Sequence, residues 1–175
     1  MPILSTLLAV ALIGRGPAPT SDALIQGAQA KAKAANKNVL VVFHASWCGW
    51  CKRFDKFVET TPEGKLVTKG LEIVHITVLE SPDKKELENA GGESLMEKLG
   101  GKQAGLPFMA ILDAKNGKMV VNSLIKPGDV RTNTGYPASA EEIGHFIKML
   151  EQGAKSINAA ERSKIEAWLK ANAPK

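Results

Sequence analysis

The chemistry-bearing residues of this chain are concentrated in Trp47-Cys48-Gly49-Trp50-Cys51, which holds the only two cysteines among 175 residues. A C-x-x-C pair placed after an apolar strand and opening a helix is the layout of a dithiol redox site. Such a pair can close a small disulfide ring and open it again. The chemistry needs one reactive thiolate and one partner within reach. An offset of three residues on a first helical turn supplies both.

The flanking residues fit this layout. Val39-Leu40-Val41-Val42-Phe43-His44-Ala45 is a short, nearly all-apolar run, which predicts a central strand over 39–45 buried on both faces. Beyond the motif, Phe54, Phe57 and Val58 follow a helical spacing, which predicts a helix over 48–59. Cys48 is then expected at the helix N-terminus, where free N–H groups and the helix dipole favour an anion. On this reading Cys48 is the exposed attacking thiolate and Cys51, one turn deeper, the resolving thiol.

The remaining pattern supplies the frame. Asp22 to Asn36 predicts a helix and 71–78 a second strand. Thr61-Pro62-Glu63-Gly64 reads as a break, and Ser81-Pro82-Asp83 opens a helical stretch interrupted at Gly91-Gly92. Leu95 to Leu99 is a further helical piece. Pro107 stands at the start of the apolar strand Phe108 to Leu112, a position that need not donate to a ladder. Asn116-Gly117 signals a hairpin to Met119–Asn122. Ser139-Ala140-Glu141-Glu142 is a capping-box pattern ahead of a helix over 140–152, and a last helix is expected over 159–172. The order predicts an α/β fold with a mixed central sheet covered by helices on both faces, plus an extra C-terminal helix.

The composition, 44% apolar and 23% charged, suits one globular domain. The net charge of +5 is spread along helices without a basic block, so nucleic acid is not an expected partner. Ile3 to Gly14 is an apolar stretch broken only by Ser5 and Thr6 and followed by small residues and prolines. It has the form of a signal-peptide core and is short for a membrane span, although no Lys or Arg precedes it. Residues 1–22 are therefore read as a signal peptide or a flexible N-terminal segment, with cleavage after Ala18 or Ala23, and 23–175 as the folded domain. Export would place the protein in the periplasm or outside the cell, without stable membrane insertion after processing. A retained segment would leave it cytoplasmic.

With these motifs in hand, the chain resembles the thioredoxin-fold family, in particular bacterial, exported, single-domain thioredoxin-like proteins. The strand ending Val42-Phe43-His44-Ala45-Ser46, the Trp47-to-Lys52 motif and Gly105-Leu106-Pro107 carry the resemblance, which spans about residues 22–152. It implies a thiol–disulfide oxidoreductase with catalytic Cys48 and Cys51. It also implies a cis Pro107 facing the dithiol, and a substrate-docking surface made by Trp47, Gly49, Trp50, Leu106 and Pro107. The expected partners are protein disulfides or dithiols and a redox partner protein; no cofactor and no metal is required. Three positions depart from the family pattern. Val42 stands where thioredoxin has a buried Asp, Gly49-Trp50 separates the cysteines, and Phe108 follows Pro107 where thioredoxin has Thr. His75 is either a substitute base or a structural histidine. Two alternatives stand beside the enzyme: a non-catalytic thioredoxin-like binding module, and a half zinc site that would need two further ligands.

Overall fold

The computed structural model describes residues 18–174. The apolar stretch Ile3 to Gly14, read above as a signal-peptide core, lies outside the described residues. The elements run α1 (Ser21–Ala34), β1 (Asn38–His44), α2 (Gly49–Thr60), α3 (Pro62–Gly70), β2 (Leu71–Thr77), a 3-10 turn (Pro82–Leu87), α4 (Gly92–Lys98), β3 (Phe108–Leu112), β4 (Met119–Asn122), a short 3-10 turn (Val130–Thr132), α5 (Ala140–Gly153) and α6 (Ala159–Ala171). The strands form one sheet in the order β2-β1-β3-β4. β1 pairs parallel with β2, Val42 opposite His75, and antiparallel with β3, Phe43 opposite Phe108.

β1 is one of the sheet's two interior strands, and its alternate residues serve two cores. Leu40 and Val42 face a layer built by α2, α3, α5 and α6 with Phe54, Phe57, Phe146 and Leu169. Val39, Val41 and Phe43 face a second layer with Ala28 and Ala32 of α1 and Met96 of α4. Two-sided burial explains why this strand reads as a continuous apolar run rather than an alternating one.

The break expected over 61–64 narrows to Thr61, which is extended, and α3 starts directly at Pro62. Thr61 Oγ1 donates to the Phe57 carbonyl at 2.8 Å and accepts from the Gly64 N–H at 2.9 Å, so one side chain ends α2 and caps α3. Pro62 sits in the first turn, where its missing N–H has no intrahelical role. The stretch opened by Ser81-Pro82-Asp83 winds only as a 3-10 turn, and its helix proper begins at Gly92, earlier than Leu95. Gly91, at φ 82°, supplies the left-handed residue that reverses the chain there. The expected hairpin is present, but its connection is longer than Asn116-Gly117 and is closed by the Asp113 N–H donating to the Lys118 carbonyl at 2.9 Å. The capping box of α5, Ser139 with Glu142, forms as expected, and Asn158 with Glu161 forms a second one on α6.

At Gly64, α3 approaches α2 as closely as backbone allows: a Cβ there would stand 1.9 Å from the Phe57 carbonyl oxygen. Gly64→Ala is expected to cost about 1–3 kcal/mol through this overlap, read as a lower midpoint in urea unfolding. An unchanged midpoint would contradict the close-approach reading.

Candidate active site

α2 is held against the sheet by Phe54, Phe57 and Val58, which fixes the position of its first turn at the carboxyl end of β1. Cys48 is the N-cap of this helix and its Sγ accepts from the Cys51 N–H at 3.1 Å. Cys48 and Cys51 are joined as a disulfide. On reduction, the same N–H and the helix dipole would favour negative charge on the Cys48 sulfur. The first-turn geometry therefore matches the expected division between an N-terminal and a deeper cysteine.

One expectation needs correction. Cys48 is only 2% exposed and Cys51 1%, so the attacking cysteine is not openly displayed in the disulfide form. Ala45 and Leu106 cover the pair, because the N-cap conformation turns Sγ back over the helix end. The exposed surface comes from the tryptophans, Trp47 at 57% and Trp50 at 48%. The Leu106–Pro107 bond is cis, and Leu106 packs against the dithiol. Thus the two cysteines and Leu106 come into contact, Pro107 sits immediately after Leu106, and Gly49 lies exposed at the helix start between the tryptophans.

Several residues that the sequence did not single out complete the site. Glu80 is 4% exposed, and both its carboxylate oxygens serve Ser46: Oε1 accepts from the backbone N–H and Oε2 from Oγ at 2.8 Å. Next to it, the Leu79 carbonyl accepts from Trp47 Nε1 at 2.8 Å. The turn after β2 therefore clamps the two residues that precede Cys48. A buried carboxylate is costly unless it is hydrogen-bonded, and these bonds supply the compensation. Nothing local in Val78-Leu79-Glu80 marks this role, because the partner is 34 residues away.

Trp50 stacks on Tyr136 with centroids 6.1 Å apart, and the Arg53 guanidinium lies 5.8 Å and 5.5 Å from the two rings. Arg53 is one helical turn beyond Trp50, so the spacing carried a signal for that half of the cluster. Tyr136 enters from the loop before α5, and its contact with Trp50 joins segments distant in the chain.

Below the site, His44, His75 and Asp55 share the α2 face of the sheet. His75 Nε2 lies 2.8 Å from Asp55 Oδ1 on α2, and His44 Nε2 lies 3.1 Å from Thr77 Oγ1. The imidazoles meet edge to face at 5.0 Å. His75 thus has a structural partner and ties β2 to the helix that carries the cysteines. Burial holds the His44 pKa below the ordinary 6.5, and the neighbouring His75 adds to this, while Asp55 and Glu80 act in the opposite sense.

With a folded value below the unfolded one, the unfolded chain binds this proton more readily. His44 therefore contributes stability that is present above the unfolded pKa and lost as pH falls through the folded one. Denaturant unfolding at pH 7.5 and at pH 5 should show a smaller acid loss in His44→Gln than in the wild type. Equal losses would show that His44 is not a source of the acid sensitivity.

Comparison with known proteins agrees with this geometry. A model of the thioredoxin-like family matches residues 22–114. No curated protein matches the chain. Among solved structures, a disulphide isomerase from Xylella fastidiosa Temecula1 is similar at 19% identity and a TM-score of 0.50, with 95% of this chain and 98% of that one covered. The oxidoreductase DsbH is similar at 16% identity and a TM-score of 0.47, covering 86% and 94% of the two chains. A thioredoxin from Thermus thermophilus is similar at 21% identity and a TM-score of 0.46, covering 78% and 85%. The family match takes in more than half of the chain, from α1 through the C-x-x-C turn to the end of β3, and the first of these structures extends the same fold over nearly all of it: the chain belongs to the thioredoxin-like family.

Proposed function

We propose that this protein is a thiol–disulfide oxidoreductase that exchanges disulfides with protein substrates through Cys48 and Cys51. The observation that carries the reading is the Cys48 sulfur at the N-cap of α2, bonded to Cys51 and accepting the Cys51 N–H, beside an exposed pair of tryptophans. In the reducing direction the Cys48 thiolate attacks one sulfur of a substrate disulfide. A mixed disulfide forms and the other substrate sulfur leaves as a thiolate that takes up a proton. The Cys51 thiolate then attacks the Cys48 sulfur, closes the Cys48–Cys51 disulfide and releases the second substrate thiolate. Two electrons pass from the protein to the substrate; the oxidising direction is the reverse sequence. No cofactor enters these steps.

Trp47, Gly49, Trp50, Leu106 and Pro107 act as the docking surface in this proposal. Their support is position: Leu106 lies against the sulfurs, and the two indoles stand exposed on the same turn. A substrate thiolate reaches the covered disulfide by displacing Leu106, and a substrate disulfide engages the reduced form. Cys51→Ser should accumulate a mixed disulfide with a substrate protein, and Cys48→Ser should lose reductase activity by at least about a hundredfold. Mass spectrometry of trapped adducts and an insulin-reduction assay read these outcomes. Wild-type activity in Cys48→Ser would refute the assignment.

Export is part of the same proposal, supported by the apolar Ile3 to Gly14 stretch. No helix among the described residues is long and apolar enough to cross a membrane. Of the two candidate cleavage points, after Ala18 fits the folded chain. Thr20 caps α1, the Ser21 N–H donates to the Ala90 carbonyl at 2.9 Å, and Asn89 Nδ2 donates to the Pro19 carbonyl at 2.8 Å. Cleavage after Ala23 would discard all three contacts. N-terminal sequencing of the processed protein should begin at Pro19 or upstream of it; a start at Leu24 would contradict this.

A further inference from the structure

A groove of about 770 Å³ runs along α2 from Gly49 and Trp50, at the dithiol turn, to Thr60 and Thr61. Its far wall is α6, a helix beyond the part of the chain that the family match covers. The floor is aromatic: Trp168 of α6 stacks on Phe57 with centroids 4.9 Å apart, and Tyr136 lies at the end nearest the cysteines. The rim is basic, with Lys52, Arg53 and Lys56 all lining it and no carboxylate among the lining residues.

Among the described residues, none of these three cations takes part in an ion pair. Lys52 and Lys56 are one helical turn apart, and like charges at that spacing repel. Asp55, on the same helix, is engaged by His75 on the sheet side and does not compensate them. Arg53 is held in place by the faces of Trp50 and Tyr136. Glu59, exposed one turn beyond Lys56, forms no ion pair with it and is not part of the lining, so the groove presents three cations and no carboxylate above an apolar floor, and it opens at the redox turn.

We infer that this groove docks an acidic segment of a polypeptide partner, with an apolar side chain seated on Trp168 and Phe57 and carboxylates against Lys52, Arg53 and Lys56. This rests on the disulfide-exchange reading, because a segment bound there lies along the same helix whose first turn holds Cys48 and Cys51, so its own disulfide or dithiol would be held near the sulfurs. Complementary charge would raise the encounter rate and select partners. A second copy of this chain is a poor occupant, since each copy carries a net charge of +5 and the same basic face.

The test uses the full chain and two fluorescent, cysteine-free peptides, each with one Phe, flanked by Asp and Glu in one and by Lys in the other. Fluorescence anisotropy at low salt should show the acidic peptide binding on the order of tenfold tighter, with the gap closing at high salt. Lys56→Glu should weaken acidic-peptide binding by about tenfold. Lys155→Glu carries the same charge change at an exposed site outside the groove, and it should alter binding by less than about twofold. Equal weakening in both variants would mean that only net charge matters and would overturn the proposal. So would equal affinity for the two peptides, or tighter binding of a single-stranded oligonucleotide lost in Lys56→Glu. Turnover of hydroxyethyl disulfide by the wild type, measured in parallel, separates the two readings. Its absence with the peptide preference intact would refute the exchange chemistry and support the groove.

Discussion

The docking of α2 onto the sheet is the contact on which the site depends. Phe54, Phe57 and Val58 bury one face of the helix against Leu40 and Val42 of β1 and against α5 and α6. Burial of this kind contributes roughly 1.5–3 kcal/mol for each large apolar side chain. It does more than stabilise, because it fixes the helix N-terminus at the end of β1 and next to Leu106. The disulfide and the Cys51 N–H bond to the Cys48 sulfur are local to the first turn, and the docking of α2 is what places that turn against Ala45 and Leu106.

Around this fixed helix, polar contacts set the finer geometry. The turn after β2 grips Ser46 through Glu80 and Trp47 through the Leu79 carbonyl, so the approach to Cys48 is tied to the neighbouring strand. His75 and Asp55 tie that same strand to the middle of α2. The two ties bracket the dithiol from both ends of the helix's first two turns. α6 then adds what the rest of the fold lacks, an aromatic wall opposite the basic side of α2.

Much of this was legible in the sequence, and the reasons are physical. β1 was readable because a strand buried on both faces must be apolar throughout, and α2 because its burial repeats with the helical period. The C-x-x-C pair was readable because it follows an apolar strand and opens a helix, the place where a dithiol gains from the helix N-terminus. Residues 61–64 read as a break because Pro and Gly mark both breaks and helix starts; the structure holds both, an extended Thr61 and the helix that it caps. The burial of Cys48 is not legible locally, because Leu106, which packs against the cysteine pair, stands 58 positions further along the chain. Glu80 was invisible for the same reason: its partner Ser46 is distant in sequence, and no local pattern requires it.

The central claim is that Cys48 and Cys51 form a working redox couple. Titration of the purified protein in thiol/disulfide buffers, followed by tryptophan fluorescence with thiol alkylation as a second probe, tests it most directly. The account predicts one reversible two-electron transition reported equally by both probes, at a midpoint inside the range of about −270 to −120 mV spanned by dithiol oxidoreductases. It also predicts that Cys51→Ser loses the intramolecular two-electron transition and shows instead a Cys48 mixed disulfide with the buffer thiol, identified by its added mass. A pair that stays oxidised, or stays reduced, across that whole range would contradict it.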